Sequence, residues 1–188
     1  MQTQLTTPAT VAGRRGLGGA LWRLRQFGHM MRSRPAAAVD AELLRLLDCD
    51  AQWFLLARLS PFDRAHHLRV HTVVVESGYD DPDLLRAALL HDIGKADDRG
   101  RVNAVHRAAH VLLERLSPTL LTRVIGSGDG FRHGLWLSVL HPALGASLAS
   151  EAGASARCCA LIASHADHAA GADPLQSALA SADDAAIR

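Results

Sequence analysis

Three polar residues interrupt an apolar run in "LRAALLHDIGKADDRG": His91, Asp92 and Lys95. An imidazole beside a carboxylate can serve a divalent ion, with nitrogen and oxygen donors together. It can also be the capped end of a buried helix. The preceding "LLRAALL" is apolar almost all round, so the pair is expected at a buried end, where its polar atoms must be satisfied. Lys95 is the only lysine; the other 19 of the 20 basic residues are arginines. An ammonium is a compact point charge on a flexible stem and suits a phosphate oxygen, which a planar Arg fork fits differently. The alternative is a cation drawn to the negative end of a helix dipole, a place Arg fills as readily.

Further donors lie on or beside other apolar stretches: His66, His141, His165 and Asp183. His67 and His71 are spaced i, i+4 and could hold a metal on geometry alone. They sit about 100° round a helix from His66, so the two registers are not expected to face one pocket. His106 and His110 repeat the i, i+4 spacing and read as surface or packing residues, with a substrate-side role as the alternative. His168 could replace or assist His165, while His29 and His133 carry no case. Arg69 is expected to pair with a carboxylate or to touch a substrate phosphate.

The elements that must position these groups read as helices throughout. "SPFDRAHHLRVHTVVVESG" starts with Ser60 as cap, Pro61 at the first helical position and Asp63 in the capping-box place, and Gly78 ends it. The β-leaning "TVVV" follows so strong a start that it stays helical. "DDPDLLRAALLHD" opens with Asp81 and Pro82, and Gly94 is expected to stop it. A polar loop, 96–101, precedes helices at roughly 101–115 and 118–125, broken by "SP". "GSGDG" is a turn. "GLWLSVL" and "HPALGASLASEAG" read as successive helical units, the second opening at His141. "SARCCALIASHADH" and "DPLQSALASADDA" complete the set. With "VDAELLRLLD" and "AQWFLLARL" ahead of them, this is a single-domain all-α bundle over residues 40–188.

Bulk properties exclude several classes. The chain is 48% hydrophobic but only 4% aromatic, with much Ala, which argues against disorder and favours helix over sheet. Residues 1–39 hold six arginines and no acid, so the rest carries 14 basic against 19 acidic residues, a net −5. Within this basic arm Leu17, Leu21, Leu24, Phe27 and Met31 recur at helical spacing. That segment reads as a helix docked on the body, or as one making weak contact with an anionic membrane surface. No run approaches the roughly 20 apolar residues of a membrane span. Three cysteines, two of them adjacent, make no disulfide framework or metal spacing, and the chain is expected to be cytoplasmic. Few aromatics for stacking, and a basic arm separate from the core, give no strong nucleic-acid signal. Nothing in the sequence addresses the oligomeric state.

In this setting the sequence resembles the HD-domain metal-dependent phosphohydrolases over about residues 60–185. "HHLRV" at 66–70 looks like the family's opening motif, "LLHDIGK" at 89–95 its defining signature, and "LASADD" at 179–184 its closing Asp. "HPALGA" at 141–146 and His165 resemble the family's two-metal branches, which include the HD-GYP phosphodiesterases and a bacterial class that splits diadenosine tetraphosphate. No "GYP" follows, and residues 96–140 form a longer insert than in the second class, so the resemblance implies a fold and a metal site and leaves the substrate open.

The resemblance implies hydrolysis of a phosphate ester, of a nucleotide or another small phosphorylated substrate, by a metal-activated water. A divalent metal lowers the pKa of bound water from about 15.7 toward about 7. The implied ligands are His66, His91, Asp92 and Asp183 for one ion, with Asp92 bridging to a second held by His141 and His165. Lys95 and Arg69 would contact substrate, and Asp92 and Lys95 would carry the catalysis. This nitrogen and oxygen donor set suits one or two ions of Fe, Mn, Co, Ni or Zn better than Mg. The competing expectation is a catalytically inactive HD-type module that binds a nucleotide or acts as a regulator. A third is a helical interaction module whose motifs are only capped helix ends.

Overall fold

Proline at the first helical position recurs with a side-chain cap before it, and these local signals set where the helices begin. In the computed structural model, which describes residues 36–125, 130–167 and 173–187, Ser60 Oγ accepts the Asp63 N–H ahead of Pro61. Asp81 likewise accepts the Leu84 N–H ahead of Pro82, and Asp173 accepts the Leu175 N–H ahead of Pro174. Each cap satisfies a donor that the first helical turn leaves without an internal partner. The fold is all-α, and the described residues form no strand beyond an isolated antiparallel bridge between Ala96 and Arg101.

In chain order the helices are α1 (Ala36–Leu46), α2 (Asp50–Ala57), α3 (Pro61–Glu76), α4 (Pro82–Leu90), α5 (Ala104–Leu116), α6 (Pro118–Val124), α7 (Phe131–Glu151), α8 (Ala156–Ser164) and α9 (Pro174–Ala186). A short 3-10 turn, Ile93–Lys95, follows α4. α1 begins at Ala36, so the expected boundary at 39/40 falls inside a helix. The proposed arm helix (Leu17 to Met31), His29 and His168 lie outside the described residues. No helix among the described residues is long and apolar enough to cross a membrane.

The core joins α1 to α4 with α8 and α9. Leu43, Leu56, Leu68, Val74, Leu84, Leu90, Leu161, Ile162 and Leu179 are buried in one cluster. α4 packs on α3 and α8, α3 on α9, and α7 on α8 and the 3-10 turn. Removing these side chains from water, at about 25 cal/mol per Å² of apolar surface, drives the assembly. "TVVV" is helical as expected, because α3 runs unbroken to Glu76 and Gly78 then takes φ +86°.

Two sequence expectations give way. Gly94 does not stop α4: the helix ends at Leu90, and Gly94 lies inside the 3-10 turn. Its role is proximity. A Cβ there would lie 2.2 Å from the His141 carbonyl oxygen and 2.7 Å from the Gly145 nitrogen, so only glycine lets the turn press on α7. The break expected at His141-Pro142 is also absent: α7 runs continuously from Phe131 to Glu151 with Pro142 inside it. Pro142 has no N–H to give to the carbonyl four residues back, that of Ser138. That freed carbonyl has another use, described next.

Candidate metal centre

Five elements deliver donors to one buried volume. α3 supplies His66, the C-terminal end of α4 supplies His91 and Asp92, α7 supplies His141, the end of α8 supplies His165, and α9 supplies Asp183. His66 Nε2 lies 2.9 Å from Asp183 Oδ1. His91 Nε2 lies 3.8 Å from the same oxygen and 3.6 Å from Asp92 Oδ2. On the other side of Asp92, His141 Nε2 and His165 Nε2 lie 3.3 Å and 3.4 Å from Oδ1. Two groups of buried donors result, His66–His91–Asp92 and Asp92–His141–His165, each with ligand atoms within 4.8 Å of one another. Asp92 belongs to both.

The imidazoles are aimed by their own helices. His91 Nδ1 lies 3.0 Å from the Ala88 carbonyl oxygen, His141 Nδ1 2.9 Å from that of Ser138, and His165 Nδ1 2.7 Å from that of Ile162. A carbonyl only accepts, so each Nδ1 carries the proton and donates it, and each Nε2 presents a lone pair to the centre. For His91 and His165 the acceptor is in the last turn of a helix, where carbonyls are short of helical donors, although that of Ile162 also accepts the His165 N–H at 3.5 Å. For His141, in mid-helix, the acceptor is the carbonyl that Pro142 leaves free. The dipeptide His-Pro therefore reproduces in the middle of α7 what helix ends provide elsewhere.

The donor set suits a cation. His91 Nε2, Asp92 Oδ1 and Asp183 Oδ1 are buried and have no hydrogen-bond partner among the described residues. Lone pairs that converge without hydrogens between them repel, and a shared divalent ion would satisfy all of them. Burial pulls the His91 imidazole down to about 4, against the pull of Asp92 and Asp183, so it is neutral and ligand-ready at neutral pH. Burial alone would raise Asp92, but the Lys95 ammonium and the His91 ring outweigh it and hold the carboxyl well below its usual range. Asp183 is also held low, since the approach of His66 and the field of His91 overcome its burial. Cys158 stands outside both groups, and burial pushes its thiol up to about 12. An open groove of about 620 Å³ between α3 and α9, lined by Val73, Tyr79 and Ser181, contains none of these donors.

Other candidates fall elsewhere. Lys95 Nζ lies 2.5 Å from Asp92 Oδ2, at the edge of the cluster. Among the described residues Arg69 pairs with neither a carboxylate nor the centre: its Nε donates to the Ala186 carbonyl at 3.3 Å, and its guanidinium stands 5.9 Å from the Phe62 ring. Because Arg69 is one turn from His66 and Ala186 one turn from Asp183, the contact ties α3 to α9 beside the ligands. His66 and His67 are both buried, yet only the His66 register faces the donor cluster. His66 joins a ligand group, whereas His67 Nδ1 lies 2.5 Å from the Leu89 carbonyl oxygen and its ring stacks on His91 at 4.6 Å. His71 is in neither group.

In the insert, His106 closes a capping box with Asn103 at the start of α5. His110 Nδ1 lies 2.7 Å from Ser138 Oγ, one turn above His141. His133, for which the sequence made no case, is buried with Nε2 2.9 Å and 3.0 Å from the two Asp97 oxygens. Those partners are 36 positions apart, and no local spacing rule reaches that far.

Comparison of the chain with protein-family models, with curated proteins and with solved structures gives no match.

Proposed function

We propose that this protein is a metal-dependent phosphohydrolase of the HD-domain type, acting on a nucleotide or another small phosphorylated substrate. The observation that carries the reading is the sharing of Asp92 by two buried donor groups, with the Nδ1 atoms of His91, His141 and His165 turned to backbone carbonyls so that their Nε2 atoms face the centre. His66, His91, Asp92 Oδ2 and Asp183 would hold one ion, and Asp92 Oδ1, His141 and His165 a second. The donors fit Fe, Mn, Co, Ni or Zn. Bound there, divalent ions supply an acidified water near neutral pH and charge neutralisation for phosphate oxygens.

The chain's residues do the rest by position. Among the described residues the second group offers three protein donors, which leaves coordination positions for water or substrate. Lys95, 17% exposed at the edge of the cluster, can place its ammonium on a phosphate oxygen. α5, with His110 beside Ser138, forms the wall next to Lys95. The test is hydrolysis of bis-p-nitrophenyl phosphate by protein loaded with Mn²⁺, followed by mononucleotides, dinucleoside polyphosphates and cyclic dinucleotides. Turnover lost in Asp92→Asn supports the reading. Metal uptake with no turnover on any of these substrates favours an inactive binding module instead. Absence of metal uptake leaves only a helical protein with capped ends.

A further inference from the structure

The lone lysine stands where a metal is expected to bind. Lys95 Nζ is 2.5 Å from Asp92 Oδ2, and that same oxygen is the one nearest His91 Nε2, at 3.6 Å. The carboxylate is 5% exposed and its other oxygen has no hydrogen-bond partner among the described residues. The Lys95 backbone is fixed at both ends: its N–H donates to the Asp92 carbonyl at 2.9 Å, and its own carbonyl accepts from Val102 at 2.8 Å. Its side chain is 17% exposed, so the four-carbon stem is the part free to move.

We propose that Lys95 is a built-in counter-cation that holds Asp92 until a metal ion takes it, so that this lysine, and not the ligand set alone, fixes the metal affinity and becomes available to phosphate only after the metal is bound. The inference rests on the reading of the cluster as a metal centre. Two cations on one buried carboxylate oxygen repel, and more strongly in a site of low dielectric than in water. Without the lysine the metal-free protein would bury an unpaired carboxylate, which is costly. With it, the incoming ion must displace an ammonium, which weakens binding. Displacement then turns the ammonium from an internal partner into a phosphate contact, and the order of events is metal first, substrate second. An arginine would keep the charge but hold the carboxylate through a planar fork less easily moved aside.

The experiment is calorimetric titration of metal-free wild type, Lys95→Met and Lys95→Arg with Mn²⁺, with thermal unfolding of each protein before and after loading. Lys95→Met is expected to bind Mn²⁺ about tenfold more tightly than wild type. Its metal-free form should unfold at a lower temperature, so loading produces a larger rise in Tm. Lys95→Arg retains the charge and should stay within about threefold of wild type in affinity. Inorganic phosphate should bind loaded wild type, bind loaded Lys95→Met about tenfold more weakly, and not bind metal-free wild type. If metal-free Lys95→Met does not fold, Lys95→Gln, which keeps a donor without the charge, is read in its place. Mn²⁺ affinity unchanged or weaker in the neutral variant overturns the inference alone. A wild-type protein that takes up no Mn²⁺ overturns both the inference and the metal-centre reading.

Discussion

α4 and α5 are both amphipathic helices, yet they serve opposite ends of the design. α4 has nine residues and buries five of them, Leu84, Ala87, Ala88, Leu89 and Leu90, and His91 and Asp92 follow directly. α5 has thirteen and buries only His106, while Val105, Val111, Leu112 and Leu116 stay exposed. The first is a support whose every contact bears on ligand position. The second is attached to α7 along one side, with His110 Nδ1 2.7 Å from Ser138 Oγ. The difference is one of tolerance: a donor cluster must be held to a fraction of an ångström, whereas an exposed helix face can vary. The contrast predicts that substitutions in the supports act on metal binding, with or without a loss of stability, and that those on the exposed face of α5 act on neither.

The largest effect expected is from Gly94→Ala. Its Cβ would meet the His141 carbonyl and the backbone of Gly145, neither of which is a flexible side-chain end. Stability should fall by about 3 kcal/mol, as in severe overpacking, and metal binding should fall with it, both read by chemical denaturation and titration of the same sample. A Gly94→Ala protein with wild-type stability would break the account of how the 3-10 turn meets α7.

Next is Pro142→Ala. Alanine restores an N–H that competes with His141 Nδ1 for the Ser138 carbonyl. The helix should be no less stable, yet metal affinity should drop about tenfold, as for loss of a partner that orients a ligand. This variant separates stability from ligand orientation within one support.

These two positions also mark what the sequence could and could not disclose. Ser60-Pro61, Asp81-Pro82 and Asp173-Pro174 were legible because capping is local, fixed by residues within one turn. The donors themselves were legible as His and Asp on apolar stretches, and the structure brings His66, His91, Asp92, His141, His165 and Asp183 together. Gly94 and Pro142 were read as punctuation, because their actual roles depend on a second segment of chain, or on a side chain taking the place of a backbone donor. The helical wheel separated His66 from His67, and only His66 joins a ligand group; what it does not show is that His67 is buried too. Leu89 and His91 make a buried place for it. Arg69 was expected at a carboxylate, and only the closeness of α9 shows that a carbonyl serves.

The third effect is on pH. In the metal-free protein burial pulls His67 down to about 3 and His91 to about 4, from an ordinary value of 6.5. Between these values the unfolded chain binds more protons than the folded one, so stability rises with pH across that window. The contribution is fully present above about pH 6.5 and is lost as pH falls toward about 4 and then 3. Thermal unfolding from pH 8 to pH 4 should therefore show a falling Tm, and His67→Phe should flatten part of the slope. A slope unaltered by His67→Phe would contradict the assignment of a neutral, buried imidazole at that position.

The smallest effect is the control for the contrast. Leu116→Ala, at a side chain 74% exposed on α5, should change stability by less than about 0.5 kcal/mol and leave metal affinity as it was. A larger loss would mean that the insert is part of the support after all.

The central claim, that the two donor groups sharing Asp92 form a metal centre, is tested most directly by metal content. Wild type and Asp92→Asn are reconstituted with Mn²⁺, freed of excess ion and assayed by elemental analysis. The account predicts up to two ions per wild-type chain and close to none in Asp92→Asn, with both proteins still helical by circular dichroism. Equal metal in the two proteins, or none in wild type, would contradict it.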